Sequence, residues 1–169
     1  QLCTLTEKLA LEKDESMDTE TAEVQERPCV RICREDGSWT GLAFHGVPGG
    51  HEFTSFVLGL YNAAGPGQAL DEETLQRVRA LPAAKLQILV SLSCTMCPEV
   101  VMGAQKIASC HPGISASMCD LRYFPEEKKQ YGILSVPCIV IDGETVFFGK
   151  KNLEQLVKEL ETRRDSGGE

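Results

Sequence analysis

Ser91-Leu92-Ser93-Cys94-Thr95-Met96-Cys97-Pro98-Glu99-Val100-Val101 is the stretch that decides how this chain folds. Just before it, Leu86, Ile88, Val90 and Leu92 alternate with polar or opposite-facing residues, the pattern of a strand. Just after it, Val100, Val101, Ala104, Ile107 and Ala108 share one face of a helix. Cys94 therefore follows a strand and Cys97 opens a helix. Pro98 falls in the first turn, where its missing N–H costs nothing. A thiolate at Cys94 faces the free amides and the positive dipole end of that helix. Such a setting lowers a thiol from about 8.5 to roughly 3.5–7.5. Cys94 is thus the expected nucleophile, and Cys97 the thiol that resolves the mixed disulfide. The same spacing also serves as half of a zinc site. A second pair at metal spacing is absent, because Cys29 and Cys33 lie on one predicted strand with three residues between them.

The elements around this stretch read βαβαββα from Lys85 to Arg163. Ile114 to Cys119 is a second predicted strand and Pro125 to Tyr131 a short helix. Ile139-Val140-Ile141, the turn Asp142-Gly143-Glu144 and Val146-Phe147-Phe148 form a hairpin. Leu153, Leu156, Val157 and Leu160 mark a closing helix. This order fits an α/β sandwich whose sheet mixes parallel and antiparallel strands. Val136-Pro137 stands just before the hairpin, and a proline opening a strand marks a special edge. A cis bond there sets backbone groups opposite the dithiol, ready to pair with an extended peptide; a trans proline ending a loop is the alternative. Thr95, Met96, Val136 and Pro137 are the candidate substrate-contacting residues.

The first half resembles the last part of the same order. Residues 1–8 read as a helix end, and Leu9-Ala10-Leu11-Glu12 as a short strand. Glu12, Asp14, Glu15, Asp18, Glu20, Glu23 and Glu26 face only Lys13, a solvated loop or weak helix. Cys29 to Cys33 and Trp39 to His45 pair as a hairpin across Glu35-Asp36-Gly37-Ser38. Gly46-Val47-Pro48-Gly49-Gly50 breaks it and lacks the spacing of a dinucleotide fingerprint. Phe53, Phe56, Val57, Leu60, Tyr61 and Ala64 then follow helical spacing up to Gly65-Pro66-Gly67. Asp71 is an expected N-cap for a further helix, with Glu72 and Glu73 in its first turn, ending near Leu81-Pro82.

Composition bounds the function. The chain has 169 residues, 42% apolar and 25% charged, with a net charge of −8. That surface repels phosphate backbones and anionic lipid, so neither nucleic acid nor a membrane is an expected partner. Eight cysteines without a visible secretory leader fit thiol chemistry in a reducing compartment, and the cytoplasm is the expected location. Opening on Gln1, the chain is expected to be cut from a longer polypeptide.

These residues resemble one family. Ser91 to Val101 is similar to the active-site segment of the N-terminal domain of the alkyl hydroperoxide reductase flavoprotein. Gly49-Gly50-His51-Glu52-Phe53-Thr54-Ser55 is similar to a second signature of that domain, and Val136-Pro137 and Phe148-Gly149 also match. The likeness runs from about Leu9 to Leu160. It implies an α/β architecture of two fused thioredoxin-like folds sharing a mixed sheet, the first without a dithiol. This sequence departs from the family in that its first fold is incomplete at its N-terminus, lacking the opening strand and most of the first helix. The corresponding division is 1–82, 83–163 and a polar tail at 164–169. The resemblance further implies a thiol–disulfide oxidoreductase module of a peroxide-reducing, redox-homeostasis system. Its dithiol relays electrons from a thioredoxin-reductase-like flavoprotein module to a peroxiredoxin or another protein disulfide. FAD and NAD(P)H belong, on this view, to a separate or fused module, since no flavin or nicotinamide fingerprint occurs here. No metal is expected.

The resemblance also gives Glu52 a role as a carboxylate close to the dithiol that assists its proton transfers, in keeping with the raised pKa of a carboxyl in apolar surroundings. A helix-start glutamate satisfying backbone amides is the alternative. Cys138 stands where the family has a small non-thiol residue; it either touches the redox chemistry or serves as a small hydrophobe. Cys3, Cys110 and Cys119 read as structural. Cys29 and Cys33 lie ~13 Å apart on an extended strand, too far to bridge. The alternatives for the whole chain are a non-catalytic metal module and a docking module whose dithiol is a redox switch.

Overall fold

Strand formation follows the alternation of the sequence. In β4 (Ala84–Val90), Leu86, Ile88 and Val90 enter one buried cluster while Leu89 enters another on the opposite face. β6 (Cys138–Ile141) does the same and is buried at every position, as a strand covered on both sides must be. The structure is a computed structural model that describes residues 9–13 and 28–166. The expected helix end over residues 1–8, most of the acidic segment and Cys3 fall outside those residues.

The remaining strands are β1 (Leu9–Lys13), β2 (Cys29–Arg34), β3 (Trp39–His45), β5 (Ile114–Asp120) and β7 (Thr145–Phe148). The helices are α1 (Phe53–Ala64), α2 (Glu72–Arg79), α3 (Cys97–Cys110), α4 (Pro125–Gln130) and α5 (Leu153–Ser166). All seven strands join one sheet in the order β1-β2-β3-β5-β4-β6-β7. Only β3/β5 and β5/β4 are parallel; the outer pairs are antiparallel.

The chain is thus an α/β protein of two thioredoxin-like units sharing a mixed sheet. The second runs from β4 to α5. The first, shorter unit contributes β1, the β2–β3 hairpin and α1. The two meet where β3 runs beside β5, with Leu42 opposite Ala116 and His45 opposite Cys119. β1 lies against the first hairpin strand, the place β4 takes beside β6.

The larger core lies between one sheet face and α1, α3 and α5. Ile32, Phe44, Ile88, Val100, Ala104, Met118, Ile139 and Leu156 all enter it. The opposite face carries a smaller cluster of Cys29, Leu89, Cys119, Phe124, Ile133, Cys138 and Val140. The α3 face read from the sequence is the buried one: Val100, Val101, Ala104, Ile107 and Ala108 are all inside. Asp71 caps α2, accepting from Thr74 N at 2.8 Å.

The face assigned to α1 needs correction. Its buried residues are Ser55, Gly59 and Asn62, while Phe53 is 58% exposed. The reason is close packing. A β-carbon at Gly59 would come within 2.9 Å of Gln105 Oε1 on α3 and 3.5 Å of Ile32. α1 therefore turns its small residues inward, and Phe56, Leu60 and Ala63 flank them against the core. Phe53, one turn ahead, is carried out of that contact. Trp39 is also largely exposed, but it is anchored in the hairpin: its indole N–H donates to Leu42 O at 3.1 Å, and Arg31 stacks 4.9 Å from its ring centroid.

Candidate functional site

β4 stops at Val90, earlier than its alternation suggests, and Ser91 to Met96 form the loop into α3. Cys94 N donates to Ser91 O at 2.9 Å, closing the turn that presents the first cysteine. Cys94 and Cys97 are joined in a disulfide with their Cα atoms 5.5 Å apart. Cys97, the first residue of α3, is fully buried, whereas Cys94 remains partly open. Pro98 sits in the first helical turn. This arrangement makes the two sulfurs unequal in exposure. Only Cys94 can be reached by a partner, and once released as a thiolate it lies at the amide end of a helix. Thr95 and Met96 between them are exposed, Met96 by 49%.

The Val136–Pro137 bond is cis, and the Val136 carbonyl lies 3.9 Å from Cys94 Sγ. Pro137 O accepts from Gly149 N at 2.9 Å, tying this loop to the end of the hairpin. The residues expected to contact substrate, Thr95, Met96, Val136 and Pro137, thus come from the two loops that border the reachable sulfur.

Glu52 enters from the first unit. Gly50 to Glu52 form a single turn of 3₁₀-helix ahead of α1, and this turn packs against α3. Gly50 has a φ of +54°, and a β-carbon there would lie 2.9 Å from Leu92 O. His51 N donates to the same carbonyl at 3.4 Å. The turn is thereby seated on the residue two positions before Cys94.

Glu52 itself is fully buried and makes no side-chain cap to the helix. The alternative of a glutamate satisfying backbone amides is therefore not what the structure has. Instead, Ser55 Oγ–H donates to Oε2 at 2.6 Å, and Oε1 is buried without a partner. Burial pushes this carboxyl up to about 7, the Ser55 hydrogen bond opposes the rise, and repulsion from Asp120 adds to it. His51, in the same motif, is exposed.

Sequence reasoning passed over Ser55 and Asp120. Ser55 falls three residues after Glu52, the offset at which helical neighbours meet. Asp120 is the one charged residue of its strand, Ile114–Asp120, and is only 1% exposed. Its position next to the run ending at Cys119 was the available signal.

The other thiols sit apart. Cys138 lies on the opposite sheet face from Cys97, and burial raises its thiol to about 11. Burial likewise pushes Cys119 far up. Cys138 follows the cis proline in sequence, but the pleat turns it away from the disulfide into the smaller core. Among the described residues, no group of three or more His, Cys, Asp or Glu is arranged to hold a metal ion. No described helix is long and apolar enough to cross a membrane.

Comparison with known proteins agrees with this geometry. Residues 84–162 match the thioredoxin-domain family model. The alkyl hydroperoxide reductase AhpF of Pseudomonas aeruginosa is 32% identical over 159 residues, which is 94% of this chain and 29% of that protein. A protein named NADH dehydrogenase from Bacillus subtilis is 28% identical over 98% of this chain and 31% of its own length. This chain thus spans under a third of these curated relatives. Among solved structures, the N-terminal domain of the alkylhydroperoxide reductase AhpF from Enterococcus faecalis superposes with a TM-score of 0.76 at 42% identity, covering 81% of this chain and 66% of that one. A protein disulfide oxidoreductase from Aeropyrum pernix shares the fold, with a TM-score of 0.71 at 23% identity over 85% of this chain and 62% of its own. The chain belongs to the thioredoxin-like family, among the N-terminal domains of AhpF-type alkyl hydroperoxide reductases.

Proposed function

We propose that this chain is a protein dithiol–disulfide oxidoreductase module, relaying electrons from a flavoprotein disulfide reductase module to a peroxiredoxin or a similar protein disulfide. The observation that carries the reading is the asymmetric Cys94–Cys97 pair at the start of α3, with only Cys94 within a partner's reach and the Val136 carbonyl beside it.

In the forward direction the reduced Cys94 thiolate attacks one sulfur of the partner disulfide. A Cys94–partner S–S bond forms, the partner's own S–S bond breaks, and one partner sulfur leaves as a thiolate. Cys97 then loses its proton and attacks Cys94 Sγ. The Cys94–Cys97 disulfide forms and the second partner thiolate departs. Two electrons pass to the partner, and its two thiolates take up two protons. Glu52 receives the Cys97 proton in the second step and passes it toward the leaving thiolate. Thr95, Met96, Val136 and Pro137 contact the extended segment that carries the partner disulfide. A flavoprotein dithiol returns the module to its reduced form by the reverse chemistry.

FAD and NAD(P)H are assigned to the separate or fused reductase module. The names of the relatives, a hydroperoxide reductase and an NADH dehydrogenase, support such a chain of electron carriers. On this reading the module works in the cytoplasm, where a reducing poise keeps the relay turning over.

The test uses the reduced protein and an oxidised peroxiredoxin. Thiol loss should be stoichiometric in the wild type and abolished in Cys94→Ser, while Cys97→Ser should trap a mixed disulfide through Cys94. An unchanged exchange rate in Cys94→Ser sinks the proposal.

A further inference from the structure

The end of the sheet that holds the disulfide also holds a second buried acid that the relay chemistry leaves unused. Asp120 closes β5 opposite Val90, the last residue of β4. Its Oδ1 accepts from Arg122 N at 3.0 Å, and its Oδ2 is buried with no partner. The chain reversal after β3 seals it: a β-carbon at Gly46 would sit 2.8 Å from Asp120 Cβ. Leu121 N donates to Val90 O at 3.1 Å, so Asp120 stands beside the residue from which the active-site loop departs. Glu52 reaches the same end of the sheet from the turn seated on Leu92. Each acid therefore has one carboxyl oxygen buried without a partner, and neither is bonded to the other.

We propose that Asp120 is a positioning residue for the exchange, its buried carboxylate acting through space to hold the proton on Glu52 and so to set the pH range in which Glu52 takes the proton of Cys97. This rests on the Glu52 role given above. The surroundings single out Asp120. His51, on the Glu52 turn, points to solvent, and Ser55 on α1 is a neutral donor. On α3, Cys97 is the reacting group and Glu99 is exposed and paired with Lys150 at 2.6 Å. Arg122 follows Asp120 but lies with its guanidinium 5.9 Å from the Tyr123 ring centroid. Among these groups Asp120 alone is a buried carboxylate with no ion pair, and a charge in such a site acts through a lower effective dielectric than water. Burial is the main reason the Glu52 carboxyl is raised, and the field of Asp120 adds to it by disfavouring the ionised form.

The experiment reduces the full chain and mixes it with a small aromatic disulfide whose thiolate absorbs light. A first phase reports attack by Cys94. A second, intramolecular phase reports attack by Cys97 and is the step that depends on Glu52. In the wild type the second phase should accelerate as pH rises through about 7. In Asp120→Asn that rise should move to lower pH, making the second phase about threefold faster at pH 6 and unchanged at pH 8.5. Asp120→Glu should restore the wild-type profile. If Glu52→Gln keeps the wild-type profile, the role of Glu52 falls and this inference with it. If Glu52→Gln loses the rise near neutrality but Asp120→Asn overlays the wild type, the Glu52 role stands and Asp120 is overturned. Should Asp120→Asn fail to fold, carboxyl-carbon NMR titration of the unaltered chain decides. The Asp120 resonance must then show an inflection at the Glu52 midpoint, and its absence overturns the inference.

Discussion

Replacing Glu52 by glutamine should stabilise this protein, and should do so only at neutral and alkaline pH. Glu52 is fully buried, and in the folded chain its carboxyl is raised from 4.5 to about 7. The folded state therefore holds the proton more tightly than the unfolded state. The associated stability is complete below pH 4.5 and is lost as the pH climbs to about 7. Above that, the folded protein carries a buried carboxylate at a cost of ~3 kcal/mol relative to the protonated acid. Glutamine is close in size, and its amide oxygen still accepts from Ser55 Oγ–H. The variant never ionises, so it escapes the cost. Subtracting wild type from variant cancels the titrating groups that do not interact with Glu52. That difference should grow by ~2.5 kcal/mol between pH 5 and pH 8 in favour of Glu52→Gln. Urea unfolding of the oxidised proteins at both pH values measures it, with an extra midpoint displacement of ~1–2 M at pH 8 for ordinary urea slopes. A stability difference that is the same at pH 5 and pH 8 would refute the reasoning, because it would mean that Glu52 titrates alike in the folded and unfolded chains.

Two backbone positions supply further tests. Gly50→Ala must place a β-carbon 2.9 Å from Leu92 O at a φ of +54°; it should cost ~1–3 kcal/mol by thermal or denaturant unfolding and slow the second exchange phase by unseating the Glu52 turn. Asp71→Ala removes the acceptor for Thr74 N and should cost ~1 kcal/mol with no effect on exchange kinetics.

How far the sequence could be read depends on the range of the interaction involved. Alternation, capping and turn chemistry are local, so β3 (Trp39–His45), the Asp71 cap and the buried face of α3 follow from the residues themselves. The Cys94-to-Pro98 segment carries its own context, a strand end and a helix start, and both cysteines could be assigned from it. The face of α1 could not be read this way. Hydropathy ranks Phe53 above Gly59, but the approach of α3, visible only once Gln105 and Gly59 are together, inverts the order. Glu52 became a site candidate through its motif. Its burial and its lone Ser55 partner are tertiary facts. Asp120 had no motif at all, since a strand ending in aspartate is ordinary until the neighbouring turns close over it.

The placement of cysteines across the sheet separates Cys119 and Cys138 from the Cys94–Cys97 pair. Because side chains alternate across a pleat, a shift of one residue decides which core a thiol enters. Ile139 and Ile141 face the core that contains Cys97, whereas Cys138 and Val140 face the other. Cys119 joins Cys138 on that second face, two strands away across Leu89. Strands lie ~4.8 Å apart, so two such steps hold Cys119 and Cys138 well beyond bonding distance. Burial raises both thiols, which keeps them protonated and unreactive at neutral pH. Cys94 differs in every one of these respects. It is off the sheet, partly open and next to a helix start, with a buried acid held at the same end of the fold. Reactivity here follows from which side of the sheet, and which end of a strand, a thiol occupies.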